Sequence, residues 1–343
     1  MQAKLTIDLD AICKNWRALD ALSGQTVETA AVIKADAYGL GADVVGPALK
    51  TAGVKTFFVA QAEEGVVLRQ AIGAGPRIFN FSGLMAGDAA ALAEYDVIPV
   101  LNSAEQIAAF TGGPCAVQFD TGMNRLGMEP ADAARLRDEI TALAPELILS
   151  HLACADEPAH KMNAAQLAEF VAMTASFPKI KKSLSATGGV LLGGDFHFDI
   201  TRPGIGLYGG LPFENAAPVV QLDLPVIQTR EVKTGETVGY GNSWTAQKPS
   251  KIATVSGGYA DGILRSAASA SLFADDIACP VIGRISMDLI TVDVSGLETV
   301  PPMLSLLNSV QTVDVLAGHA GTIGYEILTG LGARYKRRYI GGS

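Results

Sequence analysis

The chain has 343 residues, 49% hydrophobic and 18% charged, with a mean hydropathy of +0.28, which is enough apolar material for a large core and two domains. That balance excludes a disordered or fibrous protein. A net charge of −9 gives no general attraction to phosphate backbones or anionic lipid, so the expected partner is a small molecule, with neither nucleic acid nor a membrane surface.

The stretch Met1 to Asp10 carries Asp8 and Asp10 where a signal peptide needs apolar residues, and no later segment has the length of a membrane span. A cytoplasmic location is expected. From residue 30 to about 210, short apolar runs alternate with helix-length, alanine-rich stretches. The runs are Ala30–Ile33, Phe57–Ala60, Arg77–Phe81, Val97–Leu101, Cys115–Phe119, Glu146–Ser150, Ser183–Ala186 and Asp199–Thr201. Amphipathic candidates between them include Asp43–Lys50, Ala62–Ala71, Ser103–Phe110, Pro130–Leu143 and Ala164–Ala175. Eight such strand–helix units predict an α/β fold, a closed (β/α)8 TIM-type barrel over residues 10–212, rather than a doubly wound open sheet.

After Tyr208-Gly209-Gly210 the gaps shorten and the runs become β-branched: Val219–Thr229, Lys251–Ser256, Ile277–Ile282 and Leu289–Val294. Close spacing with turn residues between predicts a mostly β C-terminal domain over 213–343. Arg334, Lys336, Arg337 and Arg338 have the look of a solvated terminus. Cys13, Cys115, Cys154 and Cys279 are widely spaced and are expected to be buried thiols. His160, His197 and His319 form no metal pattern, and no metal site is expected.

In a barrel of this kind chemistry gathers at the C-terminal strand ends. Lys34 ends the first run and is followed by Tyr38; a lysine held at a strand tip is suited to imine chemistry, because its pKa falls readily on burial. Arg125 follows the fifth run and His151 ends the sixth. Thr187-Gly188-Gly189 follows the seventh, and Arg202-Pro203-Gly204-Ile205-Gly206-Leu207-Tyr208-Gly209 closes the eighth. Gly204 to Gly209 fits the dinucleotide pattern G-x-G-x-x-G, but Pro212 and Pro218 then lead into β-like sequence instead of a helix and a second βαβ unit. Glycines here let backbone N–H groups approach a phosphate.

Nearly end to end, the chain resembles the alanine racemases, pyridoxal phosphate enzymes of the barrel fold type. The resemblance rests on Ala31-Val32-Ile33-Lys34-Ala35-Asp36-Ala37-Tyr38-Gly39, Asp120–Gly127, Arg202–Gly209, Gly257–Gly262, Met287-Asp288 and Gly324-Tyr325-Glu326. It implies pyridoxal 5'-phosphate as cofactor and a head-to-tail homodimer whose barrel mouth is completed by the partner's β domain. Lys34 would hold the cofactor as an imine and accept a proton on one face, with Tyr259 of the other subunit opposite. His151 would pack on the cofactor ring and Arg202 would face its pyridine nitrogen. Tyr38, Thr187, Gly204 and Ile205 would contact the phosphate, while Arg125 and the Met287 backbone would orient the substrate carboxylate. The N-terminal strand, within residues 1–9, would join the β domain.

The chemistry is consistent with those roles. Inverting a stereocentre removes the α-proton from one side and returns one on the other, which calls for bases on opposite faces. Lysine and tyrosine both start near pKa 10, about three units too high, and need desolvation or positive neighbours. Several positions depart from the family's usual residues, among them Ser286, which precedes Met287 where cysteine is frequent. Ala186-Thr187 stands where many members carry Asn-Ser. Gln118 replaces a carbamate-bearing lysine and is expected to accept a hydrogen bond from Arg125. Ala333 falls where many members place a tyrosine that narrows the entrance. The expected activity is interconversion of L- and D-alanine, supplying D-alanine for peptidoglycan. A broader small-amino-acid (serine) racemase and a non-catalytic pyridoxal phosphate carrier are the alternatives, and Arg202 argues against a decarboxylase.

Overall fold

In the computed structural model residues 2–342 are described; Met1 and Ser343, the outermost positions assigned above to the β domain, lie outside the described residues. The chain divides into two compact units, one formed by Ile12–Ala216 and the other by the chain up to Ala11 together with everything from Ala217 on. Strand β1 (Lys4–Asp8) belongs to the second of these, and helix α1 (Leu9–Ser23) leads out of it.

The Ile12–Ala216 unit is an α/β barrel. Its parallel strands are β2 (Glu28–Thr29), β3 (Ala31–Val32), β4 (Thr56–Val59), β5 (Arg77–Asn80), β6 (Ile98–Leu101), β7 (Ala116–Gln118), β8 (Leu147–Leu149), β9 (Lys181–Ser183) and β10 (Ile200–Thr201). β3 to β9 pair in sequence order as a seven-stranded parallel sheet, and β10 pairs in parallel with β2. The cylinder closes through backbone bonds on both sides of β10: Asp199 and Arg202 donate to Lys182 and Ser185, while Ala30 and Val32 donate to Thr201 and Pro203.

Parallel strands covered on both faces bury every position, which explains the unbroken apolar runs. β4, β6 and β8 are buried throughout. The seventh strand differs from expectation, starting at Lys181 rather than Ser183. Its first two residues are lysines with part-exposed side chains, and burial begins only at Ser183. The helix expected over 130–143 is two, Pro130–Arg135 and Arg137–Leu143, broken at Leu136, whose ψ of 16° leaves the helical region.

The other unit is mostly β. β1 lies between Val220–Val232, antiparallel, and Lys336–Ile340, parallel. Val220–Val232 bends across the unit, pairing with Ser250–Ser256 and with Met303–Leu307, with a register shift along each pairing. Leu289–Asp293 extends the sheet beyond Ser250–Ser256, and Ser271–Ala274 pairs with Ile277–Pro280. Helices Val313–Ala320 and Gly324–Thr329, and the strands Ser271–Ala274 and Met303–Leu307, have no counterpart in the sequence reading. The basic tail is not a solvated terminus: residues 336–340 are a strand with alternating exposure.

Candidate active site

Lys34 leaves the end of β3 into an unusual turn. Ala35, Asp36, Ala37 and Tyr38 all have φ of 52–56° and ψ of 37–51°, a single left-handed helical turn made without glycine. That geometry costs roughly 1–2 kcal/mol per residue, so its surroundings must hold it. Ala37 N donates to Ile33 O at 2.9 Å, and Gly41 N to Asp36 O at 2.9 Å. Asp36 Oδ1 accepts from Ala42 N at 2.7 Å, starting α2 (Ala42–Ala52). Beneath the turn, the Tyr38 ring packs 4.6 Å from that of Tyr208, whose hydroxyl donates to Val32 O.

The Lys34 ammonium lies 6.0 Å from the centre of the Phe81 ring. Phe81, Phe58 and Phe79 form a ladder with centroid spacings of 5.2 and 5.1 Å, and the Arg202 guanidinium sits 5.8 Å from Phe58. Burial, then the Arg125 charge, lowers the Lys34 pKa from its ordinary value, and the Glu64 carboxylate opposes them. The amine is therefore shifted toward the neutral form that attacks carbonyls and accepts protons.

Arg202 is 2% exposed and donates to Ser150 O at 2.6 Å, to Ser183 Oγ and, more weakly, to Leu184 O. None of these acceptors is charged. No acidic side chain pairs with Arg202 among the described residues, an expensive arrangement for a buried cation unless something else uses it. Burial lowers its pKa to about 9, so it stays protonated near neutral pH. His151 is pushed down to about 3 by burial and by Arg202, Arg125 and Lys34, and is neutral near neutral pH. Its turn is fixed by Gln166, fully buried on the helix Lys161–Thr174: Nε2 donates to His151 O and Thr121 Oγ1, and Oε1 accepts from Ala153 N.

At the eighth strand end, Thr187 Oγ1 accepts from Gly204 N at 3.1 Å and Gly206 N at 3.2 Å. Its hydroxyl hydrogen has no acceptor among the described residues, and neither does the Ile205 amide. A Cβ on Gly204 would overlap the Tyr38 hydroxyl, so this glycine keeps the approach open. Thus Lys34, Tyr38, Arg125, His151, Thr187, Arg202, Gly204 and Ile205 all fall on one barrel, at or beyond strand C-termini. The expected hydrogen bond from Arg125 to Gln118 does not form. Gln118 Nε2 instead donates to Leu126 O at 2.9 Å, and Arg125 is exposed with no hydrogen-bond or ion-pair partner among the described residues.

In the β unit, Tyr259 and Met287 are 45% and 54% exposed on two adjacent turns. Tyr259 N donates to Ser286 O and Ala260 N to Met287 O, and a Cβ on Gly258 would overlap both of those carbonyls. Arg334 clamps the turns together. It forks onto buried Asp261 at 2.6 and 2.8 Å and reaches Asp288 at 2.8 Å, while Tyr335 donates to Asp261 O. The sequence reading missed this clamp, as it missed Gln166. Tyr325, in the Gly324-Tyr325-Glu326 motif, is 39% exposed on the helix Gly324–Thr329 of the same unit.

An amine of lowered pKa, a buried guanidinium without an acid and unpaired donors at a glycine turn lie at the strand ends of one barrel, as in a barrel enzyme. Two family models cover nearly all of the chain: the alanine racemase N-terminal domain at residues 7–212 and its C-terminal domain at 219–339. The chain belongs to the alanine racemase family, whose members are pyridoxal phosphate-dependent isomerases. It is 58% identical over 342 residues, 98% of each chain, to an alanine racemase of Cereibacter sphaeroides. Among solved structures it resembles alanine racemase from Bartonella henselae with covalently bound pyridoxal phosphate, at a TM-score of 0.94 and 37% identity over 99% of this chain and 100% of that one. The biosynthetic alanine racemase of Pseudomonas aeruginosa superposes at 0.91, with 35% identity and 99% of both chains covered.

Proposed function

We propose that the protein interconverts L- and D-alanine, with pyridoxal 5'-phosphate carried on Lys34 and a proton acceptor on each face of the substrate. The observation that carries this reading is the Lys34 amine, lowered in pKa at the barrel mouth of a chain that matches alanine racemases over almost its whole length. The residues present fit the cofactor. Arg202 is a buried cation without an acid, suited to a neutral ring nitrogen, and the Thr187 hydroxyl and Ile205 amide are donors suited to a phosphate. Since the Gly204 amide is already engaged by Thr187, Gly204 contributes space and Tyr38 the neighbouring hydroxyl.

When bound, the cofactor supplies an aldehyde carbon for capturing amino groups and a conjugated ring that takes up the charge left by the departing α-proton. The chain's own groups do the rest. Lys34 would accept or return the α-proton at Nζ on one face. The Tyr259 phenol of a second copy does so on the other, and Arg125 with the Met287 backbone holds the carboxylate. Neutral His151 would pack against the ring without adding charge, and Arg202, which can only donate, would face the ring nitrogen, leave it unprotonated and so disfavour transamination. A head-to-tail homodimer is supported by the exposure of Tyr259 and Met287, each on a turn held rigid within its own unit. No helix among the described residues is long and apolar enough to cross a membrane, which fits the cytoplasmic role of supplying D-alanine for peptidoglycan. Whole-length, two-domain similarity disfavours a carrier protein.

The test is solvent-deuterium exchange into each alanine enantiomer with Lys34→Ala and Tyr259→Phe. Losses biased toward opposite enantiomers are expected; full exchange in both variants would refute the two-base assignment. Borohydride reduction of the holoenzyme should leave the cofactor's mass on a peptide spanning Lys34.

A further inference from the structure

Glu64 opens helix α3 (Ala62–Ile72), where a carboxylate at the third helical position ordinarily reaches back to the cap. It does so here, with Oε2 accepting from Gln61 N at 3.3 Å and from Ala60 N at 2.6 Å. Its other oxygen has a different address. Oε1 accepts from Ala35 N at 2.7 Å, across 29 residues of sequence. One carboxylate therefore ties the end of β4 to the first peptide after Lys34, where the chain enters four consecutive left-handed residues.

We propose that Glu64 is a positioning residue that braces the left-handed turn and thereby aims the Lys34 amine into the barrel mouth. The assignment rests on the reading of Lys34 as the group that captures the cofactor. The Ala35 amide has no other acceptor among the described residues, so without Glu64 the strained turn loses its tether at the residue next to the amine. Charge acts in the same place. Arg125 and His151 are the other titratable or charged groups coupled to Lys34, and Glu64 supplies the negative charge that offsets the pull of Arg125. Hydrogen bonds to a charged acceptor are the stronger kind, and a carboxamide at position 64 has one acceptor oxygen for amides now served by two.

Two variants separate charge from reach: Glu64→Gln loses the charge, and Glu64→Asp keeps it but falls short. In cofactor-free protein carrying 13C-methyl labels on its lysines, with the Lys34 signal assigned through Lys34→Arg, the amine should titrate lower in Glu64→Gln than in the parent. The rate at which added pyridoxal phosphate is captured, followed by absorbance and expressed per neutral amine, should fall about tenfold in both variants. Unchanged Lys34 titration in Glu64→Gln, or capture at the parental rate, overturns the proposal. Should Glu64→Gln not fold, capture by Glu64→Asp decides alone. Borohydride trapping on the parent reads the Lys34 assignment itself, so a failure there is distinct from a failure of the brace.

Discussion

His151 offers a sharp electrostatic test, because Arg202, Arg125 and Lys34 all act on it. Its pKa in the folded chain is about 3, against about 6.5 for an unfolded histidine. Between these values the unfolded chain binds a proton that the folded chain refuses. Stability tied to this residue is therefore full above about pH 6.5 and is lost progressively as pH falls toward 3. Integrating the linkage from about pH 8 down to about pH 5.5 gives a loss of about 1.4 kcal/mol, and partial exposure of the ring reduces this to about 1 kcal/mol. The perturbation is His151→Gln, which removes the titration and keeps a polar side chain. Unfolding free energies of cofactor-free protein, from urea titrations at the two pH values, should drop further in the parent than in the variant by that amount. Parallel drops would refute the reasoning, as would an imidazole that titrates near 6.5 by NMR.

Two further outcomes follow from the site. Arg202→Glu can carry a proton to the ring nitrogen and should raise keto-acid release per racemisation turnover; an unchanged ratio would remove Arg202 from that role. Arg334→Lys keeps the charge but cannot fork onto Asp261 while reaching Asp288, so kcat should fall about tenfold; parental kinetics would show that the clamp does not support Tyr259.

The barrel was legible because parallel strands covered on both sides must be apolar at every position, as in Phe57-Phe58-Val59 and Ile98–Leu101. The seventh strand slipped by two residues where Lys181 and Lys182 run along the rim, since exposed side chains carry no such signature. The left-handed turn was illegible for a different reason. Ala35-Asp36-Ala37-Tyr38 holds no glycine and, by propensity alone, reads as right-handed helix; bonds from Glu64, Asp36 and Ile33 override that preference. Arg334 and Gln166 escaped because their partners lie up to 73 and 45 residues away in sequence, so their roles exist only in three dimensions. The candidates read from strand tips were simpler to place: the barrel's topology collects them at one end whatever the loops do.

The mirror-handed segment after Lys34 has a consequence for how this enzyme can vary. Glycine at exposed position 35 would sit there with less backbone conflict than the native alanine, by about 1 kcal/mol, and so would raise thermal tolerance while freeing the peptide beside the Lys34 nitrogen to swivel. At position 37 the same exchange also removes a fully buried methyl, which offsets the gain. Alanine is the stiffer choice. Selection for heat resistance and selection for turnover would therefore pull the methyl group at 35 in opposite directions.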